Sequence, residues 1–291
     1  MLFVVVFDPE VCPTLYSIAP YGLTNGNYGN CKLMKAVILT GGRGTRFAEE
    51  TDHLPKPLIR VGEEPVIWHV MKIYAEAGIN EFIMCLGYKG YLLKQYFIDY
   101  QIMHANLTVD MSTDERSIHG SLPEDWKVSL VDTGINTNTG GRLKRVKDWV
   151  GDETFSATYG DSLLDIDVRA VIEFHRSHGK LATVTRVKQR GMFGSLELDG
   201  DRVTDLREKA LQDGDWINGG FFVLEPGVLD YIDGDETAWE QAPLRNLARD
   251  GQLMAYRHDG FWHPMDTIQE KRRLEEMWTS GEAPWKIWHD D

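Results

Sequence analysis

The residue types that could do chemistry first gather after an apolar strand. Residues 35–39, KAVIL, lead straight into Thr40-Gly41-Gly42-Arg43-Gly44-Thr45-Arg46. Three glycines at a strand's carboxyl end let the backbone approach a ligand closely and aim N–H groups at an anion. Open α/β sheets bind ligands at that end. A tight turn with no ligand is the plain alternative, but Arg43 and Arg46 add charges that a bare turn does not need. A Walker loop would finish with Gly-Lys-Ser/Thr, and a dinucleotide fingerprint needs a third glycine and a continuing helix. Here Phe47 fills the third glycine's place and Pro55-Lys56-Pro57 breaks any helix, so neither fits.

The Pro-Lys-Pro unit is itself informative. Two prolines hold the backbone extended around one lysine, so its ammonium is aimed with little entropy left to lose. With Arg46, Lys56 puts two cations beside the glycine loop, an arrangement suited to a triphosphate; alone, it reads as a solvated loop lysine.

Such a loop needs a sheet to carry it. From Met34 the pattern alternates: strand 35–39, helix 66–77, strand 82–86, helix 91–100, strands 107–111 and 128–131. Helix 142–150, strand 155–159, helix 168–178 and strand 181–187 follow. Strands alternating with amphipathic helices predict an α/β fold with a mainly parallel sheet flanked by helices. Segments 195–198, 203–206 and 219–223 are short strands with Gly/Asp turns, so antiparallel additions make the sheet mixed. The last helices are read at 239–249 and 268–278. No repeat or low-complexity linker divides 34–291, which is read as one domain.

Residues 1–33 are set apart. The apolar stretch 2–7 lacks a basic flank and is ended early by Asp8, Pro9 and Glu10, so it does not read as a signal peptide. Residues 21–30, YGLTNGNYGN, are loop material. The reading is a non-native or irregular extension before a natural start at Met34, the alternative being an arm on a neighbouring subunit. Across the whole chain the net charge of −14 opposes nucleic-acid and anionic-membrane surfaces. No apolar run approaches the ~20 residues of a membrane span. Cys12, Cys31 and Cys85 show no metal or disulfide spacing, which suits a reduced, cytoplasmic setting.

MKAVILTGGRGTR, followed by LPKPL and PVIWHVM, resembles the start of the sugar-1-phosphate nucleotidyltransferases. The resemblance continues through LGYKGYLLKQYF, VDTG…TGGRLKRV, TYGD, INGGFFVLEP and FWHPMDT, covering the chain from Met34 to Trp288. VDTG…TGGRLKRV, INGGFF and PMDT are similar to the cytidylyl-transferring branch, which implies CTP and α-D-glucose 1-phosphate as substrates, CDP-glucose and pyrophosphate as products. It also implies the nucleotidyltransferase fold, Mg²⁺ as cofactor, a homo-oligomer, and a place in deoxysugar and surface-polysaccharide synthesis.

By that resemblance, Leu39, Thr40, Gly41, Gly42, Arg43, Gly44, Thr45 and Arg46 wrap the nucleotide, and Lys56 binds its phosphates. Thr139-Gly140-Gly141-Arg142 opens a helix, so free N–H groups at Thr139 and the Arg142 guanidinium could meet phosphate or base. The alternative for Arg142, Lys144 and Arg145 is a basic helix face. Asp161 and Asp266 are the implied Mg²⁺ ligands, since Mg²⁺ takes few carboxylates plus substrate oxygens and water. Asp266 could instead cap a helix, and Asp161 could be a turn residue. His258 and His263 read as ordinary loop histidines. Glu208, Lys209 and Asn218 are the implied sugar-phosphate side, with strand-edge charges as the alternative. Met192, Ser162 and Ala210 depart from the family's usual Arg, Gly and Pro, all on the acceptor side, so a different sugar phosphate remains the alternative acceptor.

The implied reaction needs no general base, because the acceptor phosphate is already an anion. It attacks the α-phosphorus in line, with Arg46 and Lys56 on the leaving pyrophosphate and Lys209 on the nucleophile. A dehydrogenase is disfavoured by the missing third glycine. A dead, ligand-sensing homologue is disfavoured because every phosphate and metal residue is present.

Overall fold

The buried run Ala36-Val37-Ile38 makes β1 (Lys35–Leu39) the spine of a sheet, because a strand apolar on both sides needs cover on both. The computed structural model describes residues 34–44, 53–120, 124–188, 195–207 and 216–289. Residues 1–33 lie outside them, so the extension read there has no structural account.

After β1 come the short ribbon β2 (Arg60–Val61) and β3 (Glu64–Pro65), then α1 (Val66–Glu76). In α1, Val66, Val70, Ile73 and Tyr74 recur at helical spacing and are fully buried. Next are β4 (Glu81–Leu86), α2 (Gly90–His104), the exposed hairpin β5 (Asn106–Asp110) with β6 (Glu115–His119), and β7 (Lys127–Asp132). α3 (Thr139–Arg145) and α4 (Lys147–Val150) precede β8 (Phe155–Tyr159), β9 (Ser162–Leu164), α5 (Val168–His178) and β10 (Ala182–Lys188). The hairpin β11 (Ser195–Asp199) with β12 (Arg202–Arg207), then β13 (Trp216–Leu224), lead to α6 (Ala242–Arg249), β14 (Leu253–Arg257), β15 (Trp262–Pro264) and α7 (Ile268–Thr279).

β1 lies between β4 and β8 and is parallel to both, with Lys35 opposite Glu81 and Ala36 opposite Ser156. β7 extends the parallel set beyond β4. β13 runs antiparallel to β8 and β10, and β10 is parallel to β14, so the sheet is mixed, as expected. Its two faces bury separate apolar clusters. Ile38 and Met84 meet α1, α2 and α7 on one face, while Val37 and Cys85 meet α3 and α6 on the other.

The elements differ from the sequence reading in a few places. The helix expected at 142–150 begins at Thr139 and breaks at Val146 into α3 and α4. The helix expected from 239 begins at Ala242, with Pro243 in its first turn, where the missing N–H costs nothing. β2, β3, β6, β9, β14 and β15 are additional strands.

Candidate active site

The carboxyl ends of β1 and β8 open on a cavity of about 340 Å³. Leu39, Thr40, Gly41, Gly42 and Gly44 line one side of it. Thr40 caps β1 by donating its hydroxyl to the Cys85 carbonyl at 3.0 Å and its N–H to the same oxygen at 3.2 Å. Gly44 takes a φ of 61°, a left-handed conformation that favours glycine. Arg43 does not line the cavity and donates to Asn136 Oδ1 at 3.3 Å. Thr45 and Arg46 lie outside the described residues.

Lys56 begins a single 3₁₀ turn, with Pro55 extended before it and Ile59 N donating to the Lys56 carbonyl at 3.0 Å. That turn is buried, so the lysine stem runs through apolar surroundings and delivers its ammonium to the cavity. There Nζ donates to Asp161 Oδ2 at 2.7 Å and also to Asp266 Oδ1. Burial would lower the pKa of Lys56, but the two carboxylates outweigh it and hold the ammonium above its ordinary value.

A small two-stranded sheet brings the aspartates together. β9 and β15 pair antiparallel with Ser162 opposite Pro264, and Met265 N donates to the Asp161 carbonyl at 2.9 Å. Asp161 enters this ribbon and Asp266 leaves it, so two carboxylates 105 positions apart meet across one cation. Asp266 does not cap the following helix: Thr267 does, in a reciprocal capping box with Glu270. Its carboxylate is thereby left for the cavity.

Arg142 and Thr139 are placed at the cavity as expected, but with other direct contacts. The Arg142 guanidinium lies beneath the glycine loop, 4% exposed, and donates to the carbonyls of Leu86 (2.9 Å) and Gly41 (3.1 Å) and to Thr133 Oγ1 (2.8 Å). A Cβ on Gly41 would sit 2.1 Å from Arg142 Nη1, and one on Gly87 2.5 Å away. The first glycine of the loop is thus required by the arginine beneath it. Two of the first three N–H groups of α3 have partners: Thr139 N donates to Asn138 Oδ1 (2.9 Å) and Gly141 N to the Thr237 carbonyl (3.2 Å). The start of α3 is packed against residues 235–239 while Thr139 and Arg142 line the cavity.

On the other wall stands Tyr159, which sequence reasoning did not single out, although it opens the quoted Tyr-Gly-Asp. Burial, then the Glu240 carboxylate, push its pKa well above the ordinary value, so it stays protonated. Asn218 stands beside it and accepts from Gly220 N at 2.8 Å. Glu208, Lys209, Met192 and Ala210 lie outside the described residues. Among the described residues no group of three or more His, Cys, Asp or Glu side chains could hold a metal.

A cavity at the carboxyl edge of a mainly parallel sheet, lined by a glycine loop, a lysine and two carboxylates, suits a phosphate-bearing ligand. The chain belongs to the nucleotidyl transferase family, whose model matches residues 35–267. It is 51% identical over 256 residues to the glucose-1-phosphate cytidylyltransferase of Salmonella typhi, covering 88% of this chain and 100% of that one. To the probable glucose-1-phosphate cytidylyltransferase of Bacillus subtilis (strain 168) it is 48% identical over the same shares. The crystal structure of HddC from Yersinia pseudotuberculosis shares the fold, with a TM-score of 0.65 at 23% identity over 84% of this chain and 99% of that one. No helix among the described residues is long and apolar enough to cross a membrane.

Proposed function

We propose that the chain transfers a cytidylyl group from CTP to α-D-glucose 1-phosphate, releasing CDP-glucose and pyrophosphate. The observation that carries the reading is the convergence of Lys56, Asp161 and Asp266 beneath the glycine loop. Near-50% identity to relatives that bear this activity in their names supports the choice of nucleotide and sugar.

The donor set fits a divalent cation of the Mg²⁺ kind. Asp161 and Asp266 offer hard oxygens to a single point already occupied by a cation, the Lys56 ammonium. Two protein carboxylates leave the remaining positions to phosphate and water, the habit of Mg²⁺ rather than of a caged Ca²⁺ or Zn²⁺. When bound, such an ion neutralises the charge that grows on the reacting phosphate oxygens.

The chain's own residues do the rest. Gly41 and Gly42 let the backbone come close to the nucleotide, and Arg142 fixes the Gly41 carbonyl so that this loop keeps its shape. Lys56 brings a buried positive charge to the phosphates. The sugar phosphate is an anion at neutral pH, so its oxygen attacks the α-phosphorus without a base, the α–β bridge bond breaks, and pyrophosphate departs with that electron pair. Arg46 belongs in this reading on the pyrophosphate, and Glu208, Lys209 and Asn218 on the acceptor. A cytoplasmic homo-oligomer supplying deoxysugar and surface-polysaccharide synthesis is part of the same proposal.

The test is a grid of four ribonucleoside triphosphates against sugar 1-phosphates, scored by pyrophosphate release and product mass. CTP with glucose 1-phosphate should dominate. Faster turnover with another triphosphate would overturn the nucleotide, and faster turnover with another sugar the acceptor. Ser162, buried beside Asp161, is the described departure on that side.

A further inference from the structure

We propose that Glu240 is a positioning residue that ties the nucleotide wall of the cavity to its acceptor wall, an inference that rests on the reading above. Nothing in the sequence marks it. It follows Trp239, a fully buried indole packed edge-on to Phe222 at 5.9 Å, which pins the backbone from which the carboxylate reaches out. Oε2 accepts from Thr139 Oγ1 at 2.7 Å and Oε1 from Tyr159 Oη at 2.6 Å. Both donors line the cavity, Thr139 from the first turn of α3 and Tyr159 from the end of β8.

The directions of the two hydroxyl protons are fixed. Trp239 N donates to Thr139 Oγ1 at 2.9 Å, so the threonine hydroxyl must spend its own proton on Glu240. A carboxylate only accepts, so Tyr159 must donate to it as well. The Tyr159 ring packs against Gly220, where a Cβ would sit 2.7 Å from Cδ2, two residues beyond Asn218 on β13. Asn218 accepts from Gly220 N at 2.8 Å, so the glycine packed on the phenol ring also holds the asparagine side chain. A line of contacts therefore runs from Thr139 through Glu240 and Tyr159 to Gly220 and Asn218. Its ends are the residues placed with the nucleotide and with the sugar phosphate. Charge-assisted bonds of 2.6–2.7 Å are the strong kind, so the orientation of Tyr159 and Asn218 is set from the nucleotide side.

Glutamine is the discriminating substitution at 240. It keeps size and shape, but offers one acceptor and one donor where two acceptors are needed. Glu240→Gln, Tyr159→Phe and their double variant are compared in steady-state kinetics, calorimetric CTP binding without sugar phosphate, and thermal melting. Wild type is first assayed against the sugar panel, so failure of the proposed function shows there; the cycle then uses whichever acceptor turns over. Each single variant should lower kcat/KM for the sugar phosphate about tenfold or more, with KM raised and kcat lowered, while the Kd for CTP stays within about threefold. The double variant should be no worse than the worse single one. Should Glu240→Gln fail to fold, Tyr159→Phe alone must show the same split. Wild-type kinetics in both singles, multiplicative losses in the double, or a loss confined to CTP affinity would overturn the assignment.

Discussion

Replacing Lys56 by methionine removes an ammonium whose side chain is 11% exposed and leaves facing carboxylates with side chains 30% and 21% exposed. Two oxygens that share one hydrogen-bonded cation stand about 5 Å apart, so at an effective dielectric of about 20 their repulsion is about 3 kcal/mol. Partial solvation reduces this to about 2 kcal/mol of lost stability. For a domain of this size that lowers Tm by roughly 4–8 °C in metal-free buffer. A divalent cation at ten times its Kd returns about 1.4 kcal/mol, so Mg²⁺ should raise the variant's Tm by roughly 3–5 °C. Wild type should respond less, because its lysine already supplies the counter-charge. The assay is differential scanning fluorimetry over an MgCl₂ series, with EDTA as reference. A metal-free variant that melts with wild type would refute the claim that the ammonium holds the pair together. Equal Mg²⁺ responses would refute the sharing of one site by lysine and metal.

Gly41→Ala places a methyl 2.1 Å from the Arg142 guanidinium and should cost about 1–3 kcal/mol and weaken CTP binding in calorimetry. Gly42→Ala meets nothing within 4 Å and should change stability by less than about 0.5 kcal/mol; equal effects from the two would mean that Arg142 does not lie under the loop. Asp161→Asn and Asp266→Asn should each lower kcat/KM by a factor of roughly 100 or more with folding retained, and full wild-type turnover in EDTA would contradict the metal reading. Burial holds the His69 pKa at about 4, so its contribution to stability is present above pH 6.5 and is lost as the pH falls toward 4. In that window the unfolded chain binds a proton that the folded one refuses, a slope of about 1.4 kcal/mol per pH unit. Urea midpoints at pH 7, 6 and 5 should therefore fall less steeply for His69→Gln, and an unchanged slope would show that His69 titrates normally.

The parts of the site written in local signals were legible in the sequence. Glycines after an apolar strand, a lysine between prolines and an aspartate closing a strand each state a backbone preference within a few residues. Lys56 and Asp161 sit at one cavity, together with Asp266, which only the family resemblance had implied. What depends on distant partners was not legible. Arg142 reads as a helix-start cation, yet its acceptor at Gly41 is 101 residues away, and only the fold shows that its guanidinium also donates to Leu86, Thr133 and Gly41. Glu240 likewise owes its place to Thr139 and Tyr159, at separations of 101 and 81 residues. Among the elements, β9 and β15 escaped notice because three residues show no periodicity, although their pairing is what aligns the two aspartates. The break at Val146 follows from tertiary packing, since nothing in Arg142–Val150 forbids a continuous helix.

The union of Lys56 with Asp161 and Asp266 also has a consequence for how the chain is born. Its two links span 105 and 210 residues, and β1, made early, waits for β8 to fill its second flank. At about 5–20 residues per second, roughly 10–40 s of synthesis separate the lysine from its second carboxylate. Contacts of such long range form late, after the loop-closure entropy has been met by the sheet around them. A nascent chain lacking Asp266 holds half a clamp, whatever secondary structure it has gained. The cluster of Lys56, Asp161 and Asp266 therefore closes only with the last strand pair, β9 with β15.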